Sequence, residues 1–260
     1  MTDIATALSA LIFPIRGNLV ASVNDEYGQI SVIDNQGYRI LTFDRLCEQS
    51  KMAIHNPALP IHNYIRAMLM SVALRSPTNV LLLGLGGGCL SRAIHARDPQ
   101  CAMDIVELRP AVIEVARQHF SLPQAANIHY HAMDADIFIN ATAQCYDLIF
   151  SDLYAADAMS PLQGMENFLS SSARLLHPEG WLVLNYPQRP AVNSPLLLAL
   201  KRQFSTLLHC AVPGGNVVMY ASHAPLNLSI GALQQAVKDA GREFGCDFSP
   251  LVTKLTVFTG

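Results

Sequence analysis

Asn79-Val80-Leu81-Leu82-Leu83-Gly84-Leu85-Gly86-Gly87-Gly88 is the stretch that decides the fold. Four apolar residues, Val80 to Leu83, run into a loop in which four of five positions are glycine. A parallel strand buried on both faces reads as such a run. Glycines directly after it let the backbone turn tightly and approach a ligand with no Cβ in the way. Cys89 to His95 then continues as a helix whose free N–H groups face back toward that ligand. The stretch is the signature of a nucleotide site.

Outward from this point the chain alternates. Strands are expected at Val80–Leu83, Ala102–Val106, Ile128–His131, Leu148–Phe150 and Trp181–Asn185, and helices at Leu90–Ala96, Ala111–Phe120, Ala135–Ala141 and Gly164–Leu176. Such alternation predicts an α/β fold with a Rossmann-like, doubly wound parallel sheet. The rhythm then changes, because Leu207–Val212, Pro213-Gly214-Gly215 and Asn216–Ser222 read as an antiparallel terminal hairpin. Before the glycine loop, Gly28–Ile33 and Tyr38–Phe43 flank Asp34-Asn35-Gln36-Gly37, a hairpin turn within a small N-terminal β-subdomain. Pro57 and Pro60 punctuate the chain, so the expected division is 1–60 for the β-subdomain and 61–260 for the Rossmann-like domain. Ile61, Tyr64, Ile65, Met68 and Val72 share one helical face and are assigned to the core, as is Trp181.

Composition narrows the classes. Half of the 260 residues are hydrophobic, 14% are charged, and the formal charge is -3, so neither a basic groove nor a nucleic-acid partner is expected. The six cysteines are scattered without a C-x-x-C pair, which reads as reduced thiols rather than a zinc site. Ile4 to Ile15 is fairly apolar, but it is interrupted by Pro14 and too short to span a bilayer. A cytoplasmic enzyme without membrane partners is the expectation.

The spacing of the loop chooses among nucleotides. A dinucleotide fingerprint places its third glycine where this chain has Cys89 or Ser91; Gly84, Gly86 and Gly88 instead give G-x-G-x-G, the form suited to an adenosyl group carrying sulfur. Glu107 ends the second strand, 21 residues beyond Gly86, where an acid accepts from ribose hydroxyls. Asp134 follows the third strand and can accept from adenine's amine while the N–H of Ala135 reads the ring; Asp134 also suits a helix N-cap. Asp152 follows the fourth strand at the carboxyl edge. If the acceptor is an amine, its neutral form is costly: for a lysine-like amine about 3 pK units above neutrality, roughly 4 kcal/mol. A positioned carboxylate can hold, orient and deprotonate it. Asp152 is the catalytic candidate, with Tyr154 or Asp157 assisting. His129 and His131 share a strand face, but no further ligand joins them.

These residues resemble the spermidine synthase (polyamine aminopropyltransferase) family over most of the chain. The resemblance runs through Leu41-Thr42-Phe43-Asp44, the Gly84–Gly88 loop, Asp104-Ile105-Val106-Glu107, Met133-Asp134-Ala135, Tyr146 to Asp152, and Val212-Pro213-Gly214-Gly215-Asn216. It implies a small β-domain before a methyltransferase-like Rossmann domain, a homodimer, ribose binding by Glu107, adenine binding by Asp134 and an amine-handling acid in Asp152. The departures are chemical. The family's loop reads G-G-G-D-G-G, and its Asp grips the aminopropyl ammonium of decarboxylated S-adenosylmethionine; this chain has Gly87 there. The family's Y-H-E is replaced around Ile61-His62-Asn63-Tyr64, its L-D-G ends in Arg45, and the glutamine after it lies near Glu48 or Gln49. D-S-S-D-P becomes Asp152-Leu153-Tyr154-Ala155-Ala156-Asp157.

The expected activity is therefore transfer from S-adenosylmethionine, or a related adenosyl sulfonium, to a small-molecule acceptor such as an amine, without a metal. Methyl transfer is preferred. The alternatives are aminopropyl transfer from decarboxylated S-adenosylmethionine, a non-catalytic nucleotide-binding protein, and a nicotinamide-dependent oxidoreductase.

Overall fold

A computed structural model describes residues 15–43, 45–156 and 158–258. The N-terminal part is a four-stranded antiparallel sheet in the order β1 (Asn18–Asp25), β2 (Gly28–Asn35), β3 (Tyr38–Thr42) and β4 (Ser50–Ala53). Its β2–β3 turn falls where expected, with Gln36 and Gly37 both at positive φ. Helix α1 (Asn63–Leu69), extended by a 3-10 turn over Met70–Ala73, leads into the main sheet.

The main sheet is built from β5 (Asn79–Leu83), β6 (Ala102–Glu107), β7 (Ile128–Ala132), β8 (Tyr146–Ser151), β9 (Leu176–Tyr186), β10 (Thr206–Ala211), β11 (Val217–Ser222) and β12 (Leu255–Val257). The spatial order is β12-β10-β11-β9-β8-β5-β6-β7. Strands β7, β6, β5, β8 and β9 run parallel, whereas β11, β10 and β12 are antiparallel additions. The connecting helices are α2 (Cys89–Arg97), α3 (Pro110–His119), α4 (Ala135–Ala141), α5 (Glu166–Arg174) and α6 (Pro195–Gln203), with α7 (Ile230–Glu243) and α8 (Ser249–Val252) following the hairpin. This is the expected Rossmann-like sheet with an antiparallel ending. The segment after Ser222 carried no expectation and supplies α7, α8 and an extra edge strand.

The period of two in an apolar strand explains the two layers. Val80 and Leu82 of β5 pack with α2, α3 and α7 on one face. Leu81 and Leu83 pack with α4, α5 and α6 on the other. Ile30, Val32, Leu41 and Met52 of the N-terminal sheet join the first of these cores, as does Trp181. One expected boundary needs correction. The helix placed at Gly164–Leu176 begins at Glu166 and ends at Arg174, after a 3-10 turn at Pro161–Gly164, and Leu176 already opens β9. Buried Gln163 sets that turn, accepting from Ser151 Oγ at 2.6 Å and donating to the Leu153 carbonyl at 3.2 Å.

Asp147, near the start of β8, ties the linker after α1 to the sheet. Its Oδ1 accepts from Arg75 Nη2 at 2.8 Å, and Oδ2 accepts from the Thr78 N–H and hydroxyl at 2.8 and 2.9 Å. Burial alone would raise its pKa, but the hydrogen bonds from Thr78 and Arg75 outweigh it and hold the carboxyl below its usual value. The stability this supplies is present above the unfolded carboxylate range and is lost as pH falls through the depressed folded value. Asp147→Ala should destabilise the fold by about 3 kcal/mol, because Arg75 and Thr78 lose their shared acceptor. Urea denaturation at neutral pH measures this, and a loss below 1 kcal/mol would contradict it.

Among the described residues no helix is long and apolar enough to cross a membrane.

Candidate active site

The strand order reverses beside β5, with β6 on one side and β8 on the other, which opens a crevice at the carboxyl ends of these strands. Gly84, Gly86, Gly88, Glu107, Asp134, Ala135, Asp152 and Tyr154 lie along this edge.

The loop after β5 turns on glycines, with Gly84, Gly86 and Gly88 at φ of 93°, 52° and 75°. Gly84 is required twice over, by its positive φ and because a Cβ there would stand 2.3 Å from the Asp152 carbonyl oxygen. That contact reflects the close approach of the loops after β5 and β8, where the Asp152 N–H donates to the Leu83 carbonyl at 2.9 Å. Gly88 forms the left-handed N-cap of α2.

Glu107, at the end of β6, faces the same loop. Its Oε2 accepts from the Leu85 N–H at 3.1 Å and its Oε1 from the Arg109 N–H at 3.0 Å. Burial pushes this carboxyl up, against the pull of the backbone N–H groups of Arg109, Leu85 and Gly86. The Arg109 side chain is clamped by Asp25 of β1 at 2.7 and 2.9 Å and lies over the Phe43 ring. The N-terminal sheet therefore braces the turn that carries Glu107.

Asp134 sits after β7, whose end is tied to β6 by the Met133 N–H donating to the Glu107 carbonyl at 3.0 Å. Its Oδ1 caps α4, accepting from the N–H groups of Asp136 and Ile137 at 2.7 and 3.4 Å. The N-cap role is thus real and occupies one carboxylate oxygen. Ala135 is buried as the first residue of α4.

Asp152 shares a cavity with Gly84, Gly86, Gly88, Gln49, Ser50 and Tyr64. Burial pushes its carboxyl up to about 6, with a hydrogen bond from Asn185 acting in the opposite direction. That bond, Asn185 Nδ2 to Asp152 Oδ1, is 2.8 Å long. Tyr154 is adjacent, its hydroxyl donating to the Asn185 carbonyl at 3.2 Å. Burial, reinforced by the Asp152 charge, raises the Tyr154 phenol well above its usual value, so it stays a neutral donor. Asp157 lies outside the described residues.

Three further residues, Tyr64, Gln49 and Ser50, line the site. The spacing of Tyr64 on α1 assigns it to the core. It does pack against apolar neighbours, but it also lines the cavity, and its phenol is raised first by burial and then by the Asp152 charge. The one-face spacing on α1 could not separate these roles, because the face that packs inward also borders the crevice. Of the two positions near the family's glutamine, Gln49 is the one at the site: its Nε2 donates to the Ala156 carbonyl at 3.1 Å, whereas Glu48 pairs with Lys51. Arg45, where the family has glycine, adopts a left-handed φ of 63°. The third residue is Ser50. A Cβ on Gly87 would lie 2.7 Å from Ser50 Oγ and 3.0 Å from Phe120. Among the described residues no group of three or more His, Cys, Asp or Glu is arranged to hold a metal. His131 pairs with Asp104 at 2.7 Å.

Comparison with known proteins agrees with this architecture. A family model described as a methyltransferase domain matches residues 80–180. A polyamine aminopropyltransferase of Vibrio vulnificus is 29% identical over 170 residues, covering 61% of this chain and 56% of that protein. The human eEF1A lysine and N-terminal methyltransferase is 32% identical over 150 residues, covering 52% of this chain and 21% of that protein. The chain thus spans about half and about a fifth of the lengths of these two relatives. Among solved structures, human methyltransferase-like protein 13 in complex with SAH superposes with a TM-score of 0.61 at 26% identity, covering 70% of this chain and 90% of that one. A probable spermidine synthase from Corynebacterium glutamicum gives a TM-score of 0.73 at 17% identity, covering 93% of this chain and 90% of that one. The chain therefore has a spermidine synthase-like fold of the class I S-adenosylmethionine-dependent methyltransferase type, and its relatives are methyltransferases and aminopropyltransferases.

Proposed function

We propose that the chain is a transferase that binds S-adenosylmethionine and passes its methyl group to a small-molecule acceptor of the amine class. The observation that carries the choice is the packing around Gly87. The position is buried against Ser50 and Phe120, so it has neither a carboxylate nor room for one without shifts in both neighbours. Directly beneath, the buried Arg92 guanidinium donates to the carbonyls of Gly87, Phe120 and Pro57, and none of these partners is an acid. A loop that lacks an acid and is backed by a cation disfavours a nucleotide ending in a bare ammonium. It suits one whose ammonium is accompanied by a carboxylate.

The remaining roles follow from position. Gly84, Gly86 and Gly88 leave backbone exposed to the sulfonium end of the nucleotide, Glu107 offers acceptors to the ribose, and Asp134 with the Ala135 N–H addresses the adenine. The acceptor would enter beside Asp152, with Tyr64 and Gln49 as walls and Tyr154 supporting the loop. When bound, S-adenosylmethionine supplies an electrophilic carbon next to sulfonium. The chain's own contribution is alignment for in-line displacement, which can supply several kcal/mol, and a carboxylate to take the amine's proton. The division between a small β-domain and the transferase domain at residue 60 is part of the same proposal. Aminopropyl transfer, the activity named for the Vibrio relative, is the second reading; the presence of Gln49 and Tyr64 next to Asp152 favours it.

Calorimetry with S-adenosylmethionine and its decarboxylated form tests the choice, followed by turnover with putrescine. The intact nucleotide should bind at least about tenfold more tightly, the effect of one charge interaction worth 1.4 kcal/mol. Tighter binding of the decarboxylated form together with formation of spermidine would overturn it. Gly87→Asp alone should weaken both nucleotides, since the new side chain collides with Ser50. Combined with Ser50→Gly, it should reverse the preference.

A further inference from the structure

The motif Val212-Pro213-Gly214-Gly215-Asn216 has no role in the scheme above, yet its last residue reaches the candidate acid. The motif forms the β10–β11 turn, closed by the Val212 N–H donating to the Asn216 carbonyl at 2.8 Å. From there Asn216 Nδ2 donates to Asn185 Oδ1 at 2.9 Å, and Asn185 Nδ2 donates to Asp152 Oδ1 at 2.8 Å. Asn185 is buried, at 2% exposure. A primary carboxamide has one accepting end and one donating end. Asn216 occupies the accepting end of Asn185, which leaves only the donating end to face Asp152.

We propose that Asn216 is a positioning residue for Asp152: by fixing the orientation of the Asn185 carboxamide, it holds an N–H donor against the carboxylate. The proposal rests on the reading of Asp152 as the site's acid. Asn185 cannot turn over to accept from a protonated Asp152 without breaking its bond to Asn216, so the chain of amides favours the ionised acid. Among the described residues the other titratable groups around Asp152 are Tyr64 on α1, Cys89 on α2, which lines the same cavity, and Tyr154 on its own loop; burial keeps both phenols neutral, and Asn216 also bonds the Tyr154 phenol. The amide chain is thus the adjustable element around this carboxylate. It also makes the remote hairpin part of the acid's environment, and it explains why the side chain after two glycines is a carboxamide.

The test is a carbon-13 carboxyl titration of the full chain labelled at aspartate, with the Asp152 signal assigned by its loss in Asp152→Asn. In Asn216→Ala, which removes the donor and adds no charge, the Asp152 midpoint should rise by about half a unit. In Asn216→Asp, which forces the Asn185 oxygen toward Asp152, it should rise by more than about one unit. Asn216→Ser, whose hydroxyl can still donate, should stay closer to wild type than the alanine variant. An alanine variant at the wild-type midpoint overturns the positioning role, because the aspartate effect would then be charge repulsion alone. Failure of the underlying reading looks different: full transfer activity in Asp152→Asn would remove Asp152 as the acid whatever the order of the Asn216 variants. Binding of S-adenosylhomocysteine by each variant checks that the site is folded.

Discussion

Asp152→Asn is expected to stop transfer while making the folded chain more stable. Removing a positioned proton acceptor typically lowers a rate by about 10²–10⁴-fold. The nucleotide, assigned above to the glycine loop and Glu107 rather than to Asp152, should still bind. In the wild type the rate should climb as pH rises through about 6, where the buried Asp152 ionises. The stability effect has the opposite sign. Because the folded-state pKa lies above that of the unfolded chain, the folded protein binds more protons between roughly pH 4 and 6, and stability falls as pH rises across that window. Above it the ionised wild type carries a burial penalty that asparagine avoids, about 3 kcal/mol at pH 8. Thermal melts at pH 4 and pH 8 check this: the variant should melt higher than wild type at pH 8, with the gap shrinking at pH 4. An equal gap at both values, or full activity in the variant, would remove Asp152 from its assigned role.

Gly84→Ala is expected to be the most damaging single methyl in the nucleotide loop. A left-handed backbone costs a non-glycine residue about 1–2 kcal/mol. The Cβ also collides with the Asp152 backbone, which cannot swing away as a side-chain end can, and overpacking of this kind adds about 1–3 kcal/mol. The alanine therefore acts on both loops of the crevice and should abolish nucleotide binding. Gly86→Ala provides the comparison. Its φ is also positive, but the nearest atom to a Cβ is 3.7 Å away, so only the backbone contribution remains. Denaturant midpoints should separate the two variants by at least about 1 kcal/mol; equal losses would mean that the approach of Asp152 is not what requires glycine.

The sheet was legible because its strands are short apolar runs delivered to a buried layer, each separated by a helix with one apolar face. The β5–glycine loop and the acids after β6, β7 and β8 could be read for the same reason: they end strands, and strand ends in such sheets converge. The walls of the crevice were harder to read. Tyr64 has core spacing because α1 packs inward along the cavity's rim. Asn185 is the penultimate residue of an apolar strand and looks like its polar terminus, although it is buried deeper than many of the leucines. Asn216 lies 31 residues further along, and its meaning depends on hairpin register rather than on any local pattern. In the α7 helix Leu233, Val237 and Ala240 mark the buried face, a sparse signal in a segment rich in polar residues. Ser50 is the least legible of all, since nothing in Gln49-Ser50-Lys51 indicates that its hydroxyl fills space beside a glycine 37 positions away.

That last contact makes positions 50 and 87 epistatic. An aspartate at 87 needs a smaller or displaced side chain at 50 and a small shift of Phe120. A mutational route between the two proposed nucleotide preferences should therefore run more easily through paired changes at 50 and 87 than through position 87 alone. Exchanging single motif residues between this chain and its relatives should consequently understate how readily the activities interconvert, whereas paired exchanges would reveal it.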